Sequence, residues 1–169
     1  LLVERLPENY TKIAWIDADI IFLDNDWIKK TKYALNNSGS KLIHLWNKWH
    51  LTGPNGSVAE TLLSVGHKGQ RYLDKENYNP GGAWAGSRDL FPLYDKHIVG
   101  GGDRACFEAW MGIDYSCRFV DAPAMQIDYN EWGELAYKKV QKNVTSLEFD
   151  LAHMLSLIHI SEPTRRYAI

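Results

Sequence analysis

Cysteine is nearly absent from this chain. Two residues, Cys106 and Cys117, stand among 169, too few for a disulfide framework. Isolated thiols of this kind favour a reducing, cytoplasmic compartment, although the sequence fixes no location. No run of about 18 apolar residues occurs, so the sequence offers no membrane-spanning segment. No signal peptide is visible either. Charge of one sign is also missing. Nineteen basic and 21 acidic side chains leave a net charge of -2, without the basic field that nucleic acids or anionic membranes require.

What remains is the composition of an ordinary globular domain, 45% hydrophobic and long enough to bury a core. Tryptophan is the one abundance, at positions 15, 27, 46, 49, 84, 110 and 132. Such rings stack on sugars and bases, and they also fill cores. The ends of the chain look unlike its middle. Residues 1–6 read as the end of a helix with no cap before it. Residues 156–169 read as a non-native tail, and functional reasoning is confined to residues 1–155.

Residues 12–22 form the central stretch, with apolar residues flanking Asp17-Ala18-Asp19. Isoleucine, tryptophan and phenylalanine suit a pleated, buried position, and the sequence predicts an interior strand here. Carboxylates two residues apart on a strand point to the same side. Burying them unpaired is costly, so they belong at the strand's C-terminal end, where open α/β sheets bind ligands.

Helices are predicted at residues 27–35, 58–65, 104–111 and 129–142, and a helical turn at 89–94. Asp24 and Asp26 are the cap candidates for the first helix, Ser57 for the second, and Gly39 stands near the first helix's C-cap. Further strands are predicted at 41–46, 83–86 and 118–120, and a loop at 47–57. The alternation argues an α/β class. The strands at 12–22, 41–46 and 83–86 should share one sheet, with helices 27–35 and 104–111 packed on it.

Four segments carry possible chemistry. Asp17-Ala18-Asp19 supplies the one or two carboxylates that magnesium or manganese takes alongside substrate phosphates. Asp19 would ligate the metal, and Asp17 would reach a ribose hydroxyl or a metal-bound water. The alternative is a strand ending in solvated acids. In the segment 80–85, Gly81 and Gly82 allow close backbone approach to a ligand. Trp84 either walls a sugar pocket or fills the core, and Arg88 either reaches phosphate or acceptor or is a solvated charge. In Gly100-Gly101-Gly102-Asp103 the glycines can wrap an acceptor. Asp103 then either takes the proton of the attacking hydroxyl or caps a helix. Glu108 and Asp95 stand next in line for that proton. His153 is either a metal ligand or a core residue. Asn143-Val144-Thr145 matches a glycosylation sequon, a pattern frequent by chance.

In this order and spacing, the segments resemble a glycosyltransferase of the GT-A fold. Trp15-Ile16-Asp17-Ala18-Asp19 looks like that family's Asp-x-Asp motif. Residues 81–85 followed by 100–103 are similar to the paired glycine-rich segments of the beta-4-galactosyltransferase group. His153 resembles the late metal-binding histidine. The resemblance covers roughly residues 2–154. It implies a Rossmann-like mixed sheet with flanking helices, and a Mn2+ or Mg2+ cofactor. It implies a nucleotide-sugar donor and a carbohydrate or glycan acceptor. Asp17, Asp19, Gly81, Gly82 and Trp84 would serve the donor. Trp84, Arg88, Gly101, Gly102 and Asp103 would serve the acceptor, and Asp17, Asp19 and His153 the metal. It also implies that the chain is the C-terminal part of such a domain, without the βαβ half that holds the base.

Two other classes compete. Haloacid-dehalogenase-type phosphotransferases also carry a strand ending in Asp-x-Asp, the first aspartate being the nucleophile. Their pattern wants threonine or valine where this chain has Ile21. A carbohydrate-binding module would use the tryptophans, but such modules are usually all-β, against the helical segments here.

Overall fold

A computed structural model describes residues 2–66, 78–94, 102–113, 123–148 and 150–154. Asp95, Gly100, Gly101, Cys117, the strand predicted at 118–120 and the tail at 156–169 lie outside the described residues. The class is mixed α/β. Nine strands and three α-helices are described: β1 Lys12–Ile16, β2 Ile21–Phe22, α1 Trp27–Asn37, β3 Leu42–His44, β4 Lys48–Thr52, β5 Val58–Ser64, β6 Tyr78–Asn79, β7 Ala83–Ser87, α2 Gly102–Met111, α3 Pro123–Val140, β8 Val144–Ser146 and β9 Asp150–Met154. Short 3-10 turns cover Leu2–Arg5 and Arg88–Leu90. No described helix is long and apolar enough to cross a membrane.

The strands form two mixed sheets, ordered β1-β7-β3-β8 and β2-β9-β4-β5-β6. Of the strands predicted to share one sheet, Lys12–Ile16, Leu42–His44 and Ala83–Ser87 do share the first, whereas Ile21–Phe22 belongs to the second. The central β7 is antiparallel to both β1 and β3, and β8 runs parallel to β3. Side chains alternate across this sheet. Trp84, opposite both Trp15 and His44, faces a core with Ala105, Phe107 and Trp110 of α2 and Tyr129 and Val140 of α3. Ile43 and Ala85, paired on the other face, pack in a second core with Trp46, Trp49 and Leu151, against which Trp27, Ala34 and Leu35 of α1 rest. Fully burying a side chain such as Ile43 is worth about 1.5–3 kcal/mol, so both faces of this sheet contribute to stability.

Three expectations are corrected. Residues 12–22 are not one interior strand. β1 stops at Ile16 and lies at the sheet's edge, and Ile21–Phe22 pairs with β9 in the other sheet. Asp17-Ala18-Asp19 lies in the intervening turn, which the Ile20 N–H to Asp17 carbonyl bond closes at 3.3 Å. Strand alternation therefore does not govern these two carboxylates. Residues 48–52, read as loop, are β4. There Trp49 and Leu51 alternate with Lys48 and His50, and the polar neighbours mask the period. Residues 58–65, read as a helix capped by Ser57, are β5. Its Leu62 faces Trp49 across the hairpin, and that pairing overrides any helical reading of a short apolar run.

The predicted helix at 27–35 extends to Asn37, with Gly39 at φ +71 just past the C-cap Ser38. Its start differs in detail. Asp26 holds the N-cap position without a side-chain bond, while Asp24 Oδ1 accepts the Asp26 N–H at 2.7 Å. Lys30 hydrogen-bonds and ion-pairs with Asp24, and this holds the Asp24 carboxyl below its ordinary range. The helix at 104–111 begins earlier, at Gly102, so Asp103 belongs to its first turn. α3 begins at Pro123 instead of 129 and ends at Val140.

Candidate functional site

The end of β1 meets the loop before β7. Beyond the last ladder pair, Ile16 with Ala83, the Asp17 N–H donates to the Gly82 carbonyl at 2.8 Å. The Gly82 N–H donates to Asp17 Oδ2 at 3.2 Å. Gly82 adopts φ +94, a region that disfavours side chains, and a Cβ there would stand 3.0 Å from Trp46 Nε1. The glycine is thus demanded by backbone conformation and by the tryptophans beneath it.

Gly81 sits between the acid at the strand end and α2. Its N–H donates to Asn79 Oδ1 at 2.6 Å. A Cβ on Gly81 would lie 3.5 Å from Asp103 Oδ2. The Asp103 carboxylate therefore approaches the same loop that Asp17 grips. Asp103 stands in the first turn of α2.

Asp17 and Asp19 are both exposed. His153 belongs to β9, whose Ala152 pairs with Ile21. His153 itself pairs with Leu51 of β4, and the β2–β9 ladder stops at Ile21 and Ala152. Among the described residues no three of His, Cys, Asp and Glu form a ready-made cage for a metal. Exposed carboxylates at a strand end nevertheless suit Mg2+ or Mn2+. These hard cations take oxygen ligands and retain waters and substrate phosphates instead of needing an all-protein cage.

Other predicted residues lie elsewhere. Trp84 is 1% exposed, with its ring stacked on His44 at 3.9 Å and its indole N–H donating to the Pro80 carbonyl at 2.7 Å. It fills the core and shores the loop from beneath. Arg88 lies at the opposite end of β7, five residues past Ala83 or roughly 17 Å along the strand. Its guanidinium donates to the carbonyls of Val3, Leu6, Pro7 and Tyr10, which pins the leading segment. Glu108 is fully buried and pairs with Arg104 at 3.0 Å, which removes it from solvent. Gly102 opens α2. In the sequon, Asn143 Nδ2 donates to the Gly39 carbonyl at 2.8 Å, a cross-chain tie.

Sequence reasoning missed the polar support under the glycine loop. His44, Ser64, Trp46 and Asn79 all bond to this loop or to one another. The available signal was a histidine inside the apolar run 42–46, where a buried imidazole needs hydrogen-bonding partners. The lone cysteine of α2, Cys106, belongs to the core, and burial pushes its thiol up to about 12. No protein-family model matches the chain, and neither the curated proteins nor the solved structures give a match.

Proposed function

We propose that this chain is a metal-dependent glycosyltransferase of the GT-A kind, moving a sugar from a nucleotide-diphosphate sugar to an acceptor hydroxyl. The observation that carries the reading is the approach of Asp17 and Asp103 to the Gly81–Gly82 loop from two sides. Residues far apart in the chain, and read independently from it, converge on one loop.

In this reading Asp19 and Asp17 hold Mn2+ or Mg2+, with His153 as a further ligand. The bound cation would neutralise charge on the departing diphosphate. Asp17 also keeps the glycine loop against the strand end. Gly81, without a side chain, exposes its backbone beside Asp103. Asp103 accepts the proton of the acceptor hydroxyl as it attacks the anomeric carbon, which suits an inverting displacement. Trp84 and Arg88 act at a distance, one under the loop and one on the leading segment.

Calorimetric titration of the chain with a nucleoside diphosphate, with and without Mn2+, tests this. Binding should require the cation and should disappear in Asp19→Ala. Equal affinity in that variant would sink the assignment.

A further inference from the structure

His44 stands at the end of β3, out of reach of solvent. Both ring nitrogens are engaged. Nε2 lies 3.0 Å from the Gly81 carbonyl oxygen and Nδ1 2.7 Å from Ser64 Oγ. A carbonyl only accepts, so Nε2 carries the proton, and Nδ1 accepts from the Ser64 hydroxyl. Ser64 Oγ in turn accepts the Gly66 N–H at 3.0 Å. The Gly81 carbonyl takes a second donor, Trp46 Nε1–H, at 3.1 Å. Trp84 stacks on the imidazole within 11° of parallel and fixes its plane. Every rotation of the ring therefore breaks a bond or a stack.

The next step follows from peptide geometry. The Gly81–Gly82 bond is trans, so its C=O and N–H lie in one rigid plane and point in opposite directions. Two buried donors hold the C=O from inside. The N–H of the same plane, that of Gly82, is thereby aimed outward at Asp17 Oδ2. One peptide plane links a buried imidazole to a carboxylate at the candidate site.

We infer that His44 is a positioning residue: acting through the Gly81–Gly82 peptide, it sets the orientation of the Asp17 carboxylate. That this orientation serves metal binding rests on the function proposed above, whereas the coupling itself does not. Burial keeps His44 neutral, with its pKa pushed down to about 3, so the tautomer persists across the physiological range. Groups that orient metal ligands typically change metal affinity about 10–100-fold when removed.

The experiment uses the full chain and two readouts, the Gly82 amide in a 1H–15N spectrum and the Kd for Mn2+ alone. His44→Phe keeps a ring on Trp84 and removes both nitrogens. His44→Gln restores an N–H towards Gly81. Asp17→Ala marks the amide position of a broken bond. In His44→Phe the Gly82 amide should move towards the Asp17→Ala position, and the Mn2+ Kd should rise about tenfold. His44→Gln should reverse most of both changes. An unmoved Gly82 amide in His44→Phe overturns the inference. A moved amide with unchanged Mn2+ affinity, in a chain that binds Mn2+, supports the coupling and overturns only the metal role given to Asp17. If the parent chain binds no Mn2+, the metal reading fails, and the Gly82 amide alone decides the coupling. Should His44→Phe fail to fold, Ser64→Ala, which removes only a hydroxyl, carries the same readouts.

Discussion

The Gly82 N–H donates to the Asp17 side chain at 3.2 Å, while the Asp17 N–H donates to the Gly82 carbonyl at 2.8 Å. These two residues occupy the next register position after Ile16 and Ala83. The ladder is thus closed on one side by a carboxylate instead of a main-chain carbonyl. That substitution leaves the Asp17 carbonyl to accept the Ile20 N–H and to start the turn between the sheets. Ordinary pairing continued past Ile16 would bind that carbonyl into the ladder and oppose the turn.

Gly82→Ala should therefore be destabilising. A side chain at φ +94 is strained, and its Cβ would meet Trp46 Nε1 at 3.0 Å. Strain of this kind and overpacking each cost about 1–3 kcal/mol. Urea denaturation should show a loss of at least about 1 kcal/mol. A loss below about 0.5 kcal/mol, the range of ordinary surface changes, would mean that the loop yields without cost.

Stability should fall in mild acid because of His44. Its pKa in the folded protein is about 3, against an ordinary value of 6.5, chiefly through burial. The folded-state pKa is depressed, so below pH 6.5 the unfolded chain takes up a proton that the folded chain refuses. The stabilising difference is full above pH 6.5 and is lost progressively as pH falls towards 3. The steepest contribution is about 1.4 kcal/mol per pH unit. Comparing denaturation of the parent chain and of His44→Gln from pH 7 to 4 isolates this term, since the carboxylates are common to both. Parallel curves would show that His44 does titrate in place.

The acids and glycines of the candidate site were legible because their residue types are unusual where they stand. Asp17 and Asp19 interrupt an apolar stretch, and Gly81 and Gly82 adjoin. β4 and β5 were not legible, since a strand such as Lys48–Thr52 becomes apparent only once Leu62 is seen opposite Trp49. The split of residues 12–22 between two sheets was hidden for a similar reason. The apolar run is continuous in sequence, and only the Asp17–Gly82 clip and the Ile21–Ala152 pairing divide it. The role of Trp84 turned on burial, which a sequence of seven tryptophans does not assign one by one.

Arg88→Ala should loosen the leading segment without touching the site. Its guanidinium serves four carbonyls between Val3 and Tyr10, and a net loss of about 1–2 kcal/mol is expected. Arg88→Lys should restore little, because a point-like ammonium lacks the planar fork that reaches several acceptors at once. Limited proteolysis before residue 12 should speed up in both variants, while any Mn2+ affinity stays unchanged. Weakened Mn2+ binding in Arg88→Ala would show that the two ends of β7 are coupled.

Asp103→Asn tests the proposed base. A sugar hydroxyl is a poor nucleophile near neutral pH, and a positioned carboxylate that accepts its proton typically contributes about 10²–10⁴-fold. Asp103 Oδ2 lies beside Gly81, 3.5 Å from where a Cβ would stand. Asparagine retains the shape and loses the charge, so the helix should lose only about 0.3–1 kcal/mol. Transfer from a nucleotide-sugar in the presence of Mn2+ should fall at least about a hundredfold, with a small change in Tm. Glu108 is a poor substitute, being fully buried against Arg104. Turnover near the parent rate in Asp103→Asn would therefore send the search for the base to acids outside the described residues, beginning with Asp95.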